Sequence, residues 1–239
     1  SNPQGILEDQ FSFLGQEKNV SYSRIPSGTG SFYYSPIATP YAVNNSIGYN
    51  GFVKSNPVFS VGRGIYETSQ LLELSKDFVS GEIRYTVNGT EPNTSSQLYL
   101  SPISITQNTI VRAAVFQDSL VPSEILTHSY IFDVIANQTI PVISIAGDSL
   151  LFYDAINGLL TQSFLPSWEY GVNFEIIDIN LGIDKSQEMG IEVLQDDGWQ
   201  LPQKPLNFRA RDSYGKKSFK YKLFPDEDMA KFKSFSLRN

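Results

Sequence analysis

The chain has 239 residues and a mass of 26.7 kDa; it is 41% hydrophobic and only 18% charged. That is apolar material for one large domain or two to three small ones, with a composition that opposes wholesale disorder. A formal net charge of −7 argues against a nucleic-acid partner. The absence of cysteine excludes disulfide scaffolds, cysteine nucleophiles and thiolate metal sites. A single histidine, His128, excludes multi-histidine metal sites within one chain. No apolar run approaches the ~18 residues that cross a bilayer as a helix. Ser1-Asn2-Pro3-Gln4-Gly5 carries neither an initiator methionine nor a signal-peptide pattern, and reads as a mature or cloned segment of a longer protein. Charge is placed unevenly: ten of the eighteen basic residues, against four acids, lie between residues 204 and 238. Two readings fit that asymmetry, a solvated basic face or a site for phosphate or another polyanion.

Residues 1–56 are poor in charge and rich in Ser, Tyr, Asn, Gly and Pro. Val20-Ser21-Tyr22-Ser23-Arg24-Ile25 alternates as a half-buried strand does. Pro26-Ser27-Gly28-Thr29-Gly30 supplies turn chemistry, and Ser31-Phe32-Tyr33-Tyr34 a second short strand. The run Asn44-Asn45-Ser46-Ile47-Gly48-Tyr49-Asn50-Gly51 reads as a linker, placed over residues 46–56. Tyr22-Ser23-Arg24-Ile25-Pro26-Ser27-Gly28-Thr29-Gly30 with Thr39-Pro40-Tyr41-Ala42-Val43-Asn44 resembles the end of a bacterial lamin-tail domain, an immunoglobulin-like sandwich. The resemblance implies that residues 1–45 are the closing part of such a domain. A sandwich cut in this way exposes strand edges, and strand exchange between chains is the expected consequence.

Residues 57–133 read as all-β. Leu72-Glu73-Leu74-Ser75 and Ile83-Arg84-Tyr85-Thr86-Val87 alternate with period two, and Asn88-Gly89 predicts a hairpin turn. Ile103-Ser104-Ile105-Thr106, a longer strand over residues 109–116 and Ser129-Tyr130-Ile131-Phe132 complete an antiparallel sandwich. The Tyr85-Thr86-Val87-Asn88-Gly89-Thr90-Glu91-Pro92 stretch is accompanied by Pro57-Val58-Phe59-Ser60, Ser96-Gln97-Leu98-Tyr99 and Ser123-Glu124-Ile125-Leu126-Thr127-His128-Ser129-Tyr130. Together these resemble the chitobiase/β-hexosaminidase C-terminal type of immunoglobulin-like domain. The resemblance implies a non-catalytic spacer or binding module of secreted bacterial proteins, without hexosaminidase activity.

Residues 140–239 change character. Ile140-Pro141-Val142-Ile143-Ser144-Ile145 is a compact strand, and Asp148 is placed to cap a helical turn through Leu150-Leu151-Phe152. Residues 173–179 and 190–194 alternate again. Leu206-Asn207-Phe208-Arg209-Ala210-Arg211 sets Leu206, Phe208 and Ala210 on one face and its arginines on the other. The opening strand with Leu151-Phe152-Tyr153-Asp154, then residues 202–211, 214–219 and 232–239 in order, resembles the N-terminal part of the spore-coat-protein-H (CotH) kinase family. Residues 191–198 depart from that family's pattern.

The fold class is therefore mainly β: an immunoglobulin-like antiparallel sandwich followed by a partial, strand-rich α+β domain. The CotH resemblance implies a parent that is an atypical protein kinase using Mg-ATP on an extracytoplasmic or coat protein. It makes Lys204 the first candidate for contact with a nucleotide phosphate, with Arg209 and Arg211 second; surface cations on a strand are the alternative. No catalytic or metal-binding residue is assigned, and no cofactor is expected for this chain itself. Asp196-Asp197 and Asp226-Glu227-Asp228 are adjacent acids without calcium-loop spacing, and Asp184 with Glu188 fits one helical face. His128 reads as a structural strand residue, and Gly62-Arg63-Gly64 as a plain loop. Asn19, Asn88, Asn93 and Asn137 satisfy N-x-S/T formally. Exposed Tyr residues, Trp168 or Trp199 could stack on sugars, against ordinary core packing. The function expected is an accessory, adhesion or presentation region of a secreted or cell-surface bacterial protein. A protein or cell-surface glycan is the expected partner, and sugar binding by the sandwich and kinase activity of the parent are the alternatives.

Overall fold

The computed structural model describes residues 3–5, 10, 12, 15–37, 39–44, 47–77, 80–132, 140–156, 158–161, 169–178, 180, 182–194, 203–223 and 228–238, with Ile183 described by its backbone alone. Among these residues the chain is β throughout, with one five-residue helix.

Strands β1 (Ser21–Ile25) and β2 (Ser31–Ser35) form an antiparallel hairpin in which Ser21 faces Ser35 and Ile25 faces Ser31. Gly28, at φ +83°, makes the left-handed step of the turn between them. Tyr22 packs on Phe32 and Tyr34, and Tyr34 passes the stack on to Phe52. Tyr34 and Tyr49 also exchange both backbone hydrogen bonds at 2.9 Å. The stretch expected as a linker is therefore built in. Its strand β3 (Gly51–Phe52) pairs in parallel with β12 (Leu120–Val121), and Val53 enters the core. The Asn/Gly-rich composition hides this because the two apolar residues that anchor the stretch follow it directly.

The sandwich is built from β4 (Val58–Phe59), β5 (Gly64–Ile65), β6 (Gln70–Leu72), β7 (Leu74–Ser75), β8 (Glu82–Thr86), β9 (Gln97–Leu98), β10 (Ile103–Ile105), β11 (Thr109–Phe116) and β13 (Leu126–Ile131). Its main sheet runs β5-β13-β11-β8-β9; the pairs β4-β7, β10-β6 and β12-β3 make up the remainder. Leu72, Ile83, Ile105, Val111, Val115 and Tyr130 fill the core. Asn88-Gly89 does turn the chain, with Asn88 Oδ1 accepting from the Thr90 N–H at 3.2 Å. It is not the expected two-residue hairpin, because β9 joins β8 only after an excursion through residues 87–96.

The third unit is one five-stranded antiparallel sheet whose strands lie in chain order. They are β14 (Val142–Ala146), β15 (Tyr170–Asp178), β16 (Ile183–Val193), β17 (Leu206–Arg209) and β18 (Ser234–Leu237). Helix α1 (Ser149–Tyr153) follows β14, and the Asp148 carboxylate accepts from the Leu150 N–H at 2.9 Å, the cap the sequence predicts. One sheet face packs Val172, Phe174, Met189, Ile191 and Phe208 with Phe219, while Phe235 stacks on Phe208 at 5.5 Å. Strand β16 is eleven residues long where the sequence predicts only its last four, residues 190–193. Its first half, Asp184-Lys185-Ser186-Gln187-Glu188, has no apolar alternation to announce it.

Candidate functional site

The other face of that sheet is polar. Ser144, Glu175 and Ser186 stand opposite one another across β14, β15 and β16, and Asn173 stands opposite Glu188. Farther along, Glu192, Asn207 and Ser236 form a second row across β16, β17 and β18. A polar sheet face is ordinary when water covers it. Here Glu175 is 0% exposed and Asn173 4%, because the sandwich lies on them.

The sandwich brings two arginines to this seam. Arg63 Nε lies 2.9 Å from Glu175 Oε1 and Arg63 Nη1 3.7 Å from Asp184 Oδ2, while Arg63 Nη2 donates to the Thr127 carbonyl at 3.3 Å. Arg112 donates to Glu188 Oε1 at 3.2 Å, to Thr127 Oγ1 at 3.2 Å and to the Gly89 carbonyl at 3.2 Å, with Glu91 Oε1 3.6 Å away. Asn173 adds a hydrogen bond to Glu188 Oε1 at 3.1 Å, and Ser186 donates to Asn173. Ser129 of β13 and Ser144 of β14 join the two sheets directly, oxygen to oxygen, at 2.7 Å. Gly89, at φ +84°, meets Gly147 so closely that a Cβ there would stand 2.7 Å from the Gly147 carbonyl oxygen.

The two ion pairs are not equally well made. Arg112 is satisfied on all three nitrogens. The Arg63–Glu175 contact is close but poorly directed, since neither Arg63 Nε nor either Glu175 oxygen makes an aligned hydrogen bond. Burial pushes the Glu175 carboxyl up to about 7, more strongly than neighbouring Ser129, Arg63 and Ser186 favour its charge. Burial also raises Glu188, against the opposing pull of Arg112 and Asn173. On the sandwich side His128 is pushed down to about 4, by burial first and by the Arg63 charge second. Its ring stacks on Phe59 at 4.1 Å, with Nδ1 3.3 Å from the Val61 carbonyl, as befits a structural strand residue.

The seam opens into a cleft of about 800 Å³ where all three units meet. Lys18 closes one side, donating to Asp212 at 3.2 Å and to the Gly215 carbonyl at 2.5 Å, and Asn19 donates to the Ser213 carbonyl. Arg112, Glu188 and Asn173 line its floor.

The residues singled out for nucleotide contact fall in two places. Arg209 and Arg211 come together on the polar sheet face through Glu169: Arg209 Nε is 3.3 Å and Arg211 Nε 2.7 Å from that carboxylate. Arg209 also donates to Glu192 Oε1 from Nε at 2.9 Å and from Nη2 at 2.5 Å. Burial opposes the charge of Glu192, but the hydrogen bonds from Arg209 and Asn207 outweigh it and hold the carboxyl below its usual range. Lys204 lies apart, in a hollow of about 690 Å³ with Tyr153, Leu160, Thr161, Leu237 and Arg238, which neither arginine lines.

Asp184 and Glu188 share a face as expected, but of strand β16, and each has its own arginine. Asp196, Asp197, Asp226, Glu227, Asn137, Trp168 and Trp199 lie outside the described residues. Among the described residues no group of three His, Asp or Glu side chains could hold a metal ion, and no helix is long and apolar enough to cross a membrane. Among the described aromatic rings of the sandwich, Tyr66 packs on Tyr130 and Phe132, and Tyr85 on Tyr99. Its large exposed apolar residues, among those described, are Val58, Leu71, Val87 and Leu100.

Arg63, Arg112, Glu175 and Glu188 were not singled out by sequence as a joint. The available signal was a charge inside an apolar strand, as in Val111-Arg112-Ala113 and Phe174-Glu175-Ile176, which demands a buried partner. Neither a curated protein nor a solved structure matches the chain. Residues 61–127, the greater part of the sandwich and the segment that contributes both seam arginines, match the family model of the chitobiase/β-hexosaminidase C-terminal domain.

Proposed function

We propose that this chain is a non-catalytic accessory region of a secreted or cell-surface protein, in which the immunoglobulin-like module serves as a rigid base presenting the C-terminal sheet. The observation that carries this reading is the seam. Two arginines of the module are buried against carboxylates of the next sheet, so a spacer domain and its neighbour share one desolvated joint. A flexible tether between independent domains needs no such joint. The engagement of Arg209 and Arg211 by Glu169 and Glu192 further supports a structural role for that basic strand. The packing of Tyr66 on Tyr130 and of Tyr85 on Tyr99 weighs against a sugar-stacking platform on the sandwich's described surface.

The hollow around Lys204 favours a second reading, in which the parent is a CotH-type kinase and this lysine meets a phosphate of Mg-ATP. Thermal-shift titrations separate the readings. The accessory reading expects no change in melting temperature with Mg-ATP or with chitin oligosaccharides. A ligand present at ~100 times its dissociation constant adds about 2.7 kcal/mol, so a rise with Mg-ATP that Lys204→Ala abolishes would establish the kinase reading instead.

A further inference from the structure

The basic C-terminal segment uses some of its cations internally. Lys217 pairs with Asp212 at 2.7 Å, which Lys18 also holds at 3.2 Å. Among the described residues, four other lysines do not. Phe219 and Phe232 exchange both backbone hydrogen bonds, at 2.8 and 2.9 Å, and both rings are buried. Tyr221 is buried two residues beyond Phe219. Lys220 and Lys222 therefore flank the buried ring of Tyr221, where the chain turns as the Leu223 N–H donates to the Tyr221 carbonyl, and Lys231 and Lys233 flank the buried ring of Phe232; all four are exposed.

Antiparallel pairing of Phe219 with Phe232 sets Lys220 against Lys231 as the next pair. Adjacent paired segments run ~4.8 Å apart and alternate residues ~6.8 Å apart, so Lys220 and Lys231 stand side by side with Lys222 and Lys233 displaced in opposite directions, and the four cations form an elongated stripe. Like charges directly opposite one another destabilise paired strands, and no acid pairs with these four among the described residues. A single small anion cannot neutralise the array, whereas a polymer with a charge on every unit can, releasing its counterions as it does so.

We propose that Lys220, Lys222, Lys231 and Lys233 form a docking surface for a flexible linear polymer of phosphate groups. Charge complementarity selects this occupant. Lysine ammoniums are point charges that suit phosphate without the planar fork needed for paired recognition of carboxylates. The chain's net charge of −7 repels a stiff, bulky duplex that must cover more than the patch. The surface is independent of the accessory reading, and neither Lys204 nor Arg209 belongs to it.

The test is binding of long-chain inorganic polyphosphate to the full chain, followed by calorimetry at several salt concentrations. Four phosphate contacts give a log–log salt slope near ~−3, which weakens affinity on the order of fifty-fold between about 50 and about 200 mM salt. The combined Lys220→Ala, Lys222→Ala, Lys231→Ala and Lys233→Ala variant is expected to lose at least about tenfold in affinity with its melting temperature kept, since all four side chains are exposed. Arginine at the same four positions is expected to retain binding. Alanine at Lys54 and Lys185, exposed cations elsewhere, is expected to change little. Unchanged affinity in the fourfold alanine variant, no binding at about 50 mM salt, or tighter binding to duplex DNA than to polyphosphate would each overturn the proposal.

Discussion

Arg63 Nε stands 2.9 Å from Glu175 Oε1 across the junction between the sandwich and the C-terminal sheet, with the Glu175 side chain 1% exposed. Around that contact the outer face of one sheet and the polar face of another become mutual interior. Strand β11 records the consequence, since its last six residues are buried irrespective of which face they point to.

Removing Glu175 leaves Arg63 with the exposed Asp184 carboxylate at 3.7 Å as its charged partner, and breaking a buried pair costs about 3–5 kcal/mol. Glu175→Ala is expected to destabilise by that order in urea denaturation. Glu175→Gln should cost clearly less, because a neutral amide imposes a smaller burial penalty than a carboxylate. Equal losses in the two variants would mean that the pair's charge contributes little.

Stability should respond to pH through the same group. A carboxyl whose folded value is raised to about 7 contributes stability that is full below its unfolded value and is lost as pH climbs through 7. The size of that loss is on the order of 3 kcal/mol, and burial drives Glu188 the same way. His128, pushed down to about 4, works in the opposite sense: its stabilisation is present above its unfolded value near 6.5 and is lost as pH falls toward 4. The two trends oppose each other below about 6.5. Only the carboxyls act above it, so the last part of the Glu175 loss, about 1 kcal/mol, appears as a fall in stability between about 6.5 and 8. Glu175→Gln should flatten that fall in melting curves taken across the range; an unaltered slope would place the titrating group elsewhere.

Gly89 should tolerate no side chain. Its positive φ and its approach to the Gly147 carbonyl both oppose a Cβ. Gly89→Ala is expected to cost about 1–3 kcal/mol, measured by the shift in urea midpoint.

The Glu169 carboxylate joins Arg209 and Arg211 while itself mostly buried. Glu169→Ala is expected to cost about 1 kcal/mol, because both arginines are partly exposed and solvent takes over much of the lost interaction. A gain in Mg-ATP affinity in this variant would show that the carboxylate was masking a phosphate site.

Strands with clean alternation were legible in the sequence, and so was the Asp148 cap, because short-range pattern and side-chain chemistry determine them. The match over residues 61–127 likewise spans Tyr85-Thr86 and the Asn88-Gly89-Thr90-Glu91-Pro92 run that carry the resemblance in the sequence. The polar half of β16 was not legible: Asp184, Ser186 and Glu188 carry no apolar alternation and become strand residues through their pairing with Ile177, Glu175 and Asn173 of β15. Nor was the integration of Phe52 and Val53, whose pairing partner Val121 lies almost seventy residues away. Arg209 and Arg211 showed as cations on one face, but Glu169 reaches them from forty residues upstream, beyond any local spacing rule.

Differential scanning calorimetry of the whole chain tests the rigid joint most directly. The account predicts one cooperative transition that takes the sandwich and the C-terminal sheet together, with calorimetric and van't Hoff enthalpies in agreement, and a split into two transitions in Glu175→Ala. Two resolved transitions in the unaltered chain, each insensitive to Glu175→Ala, would contradict it.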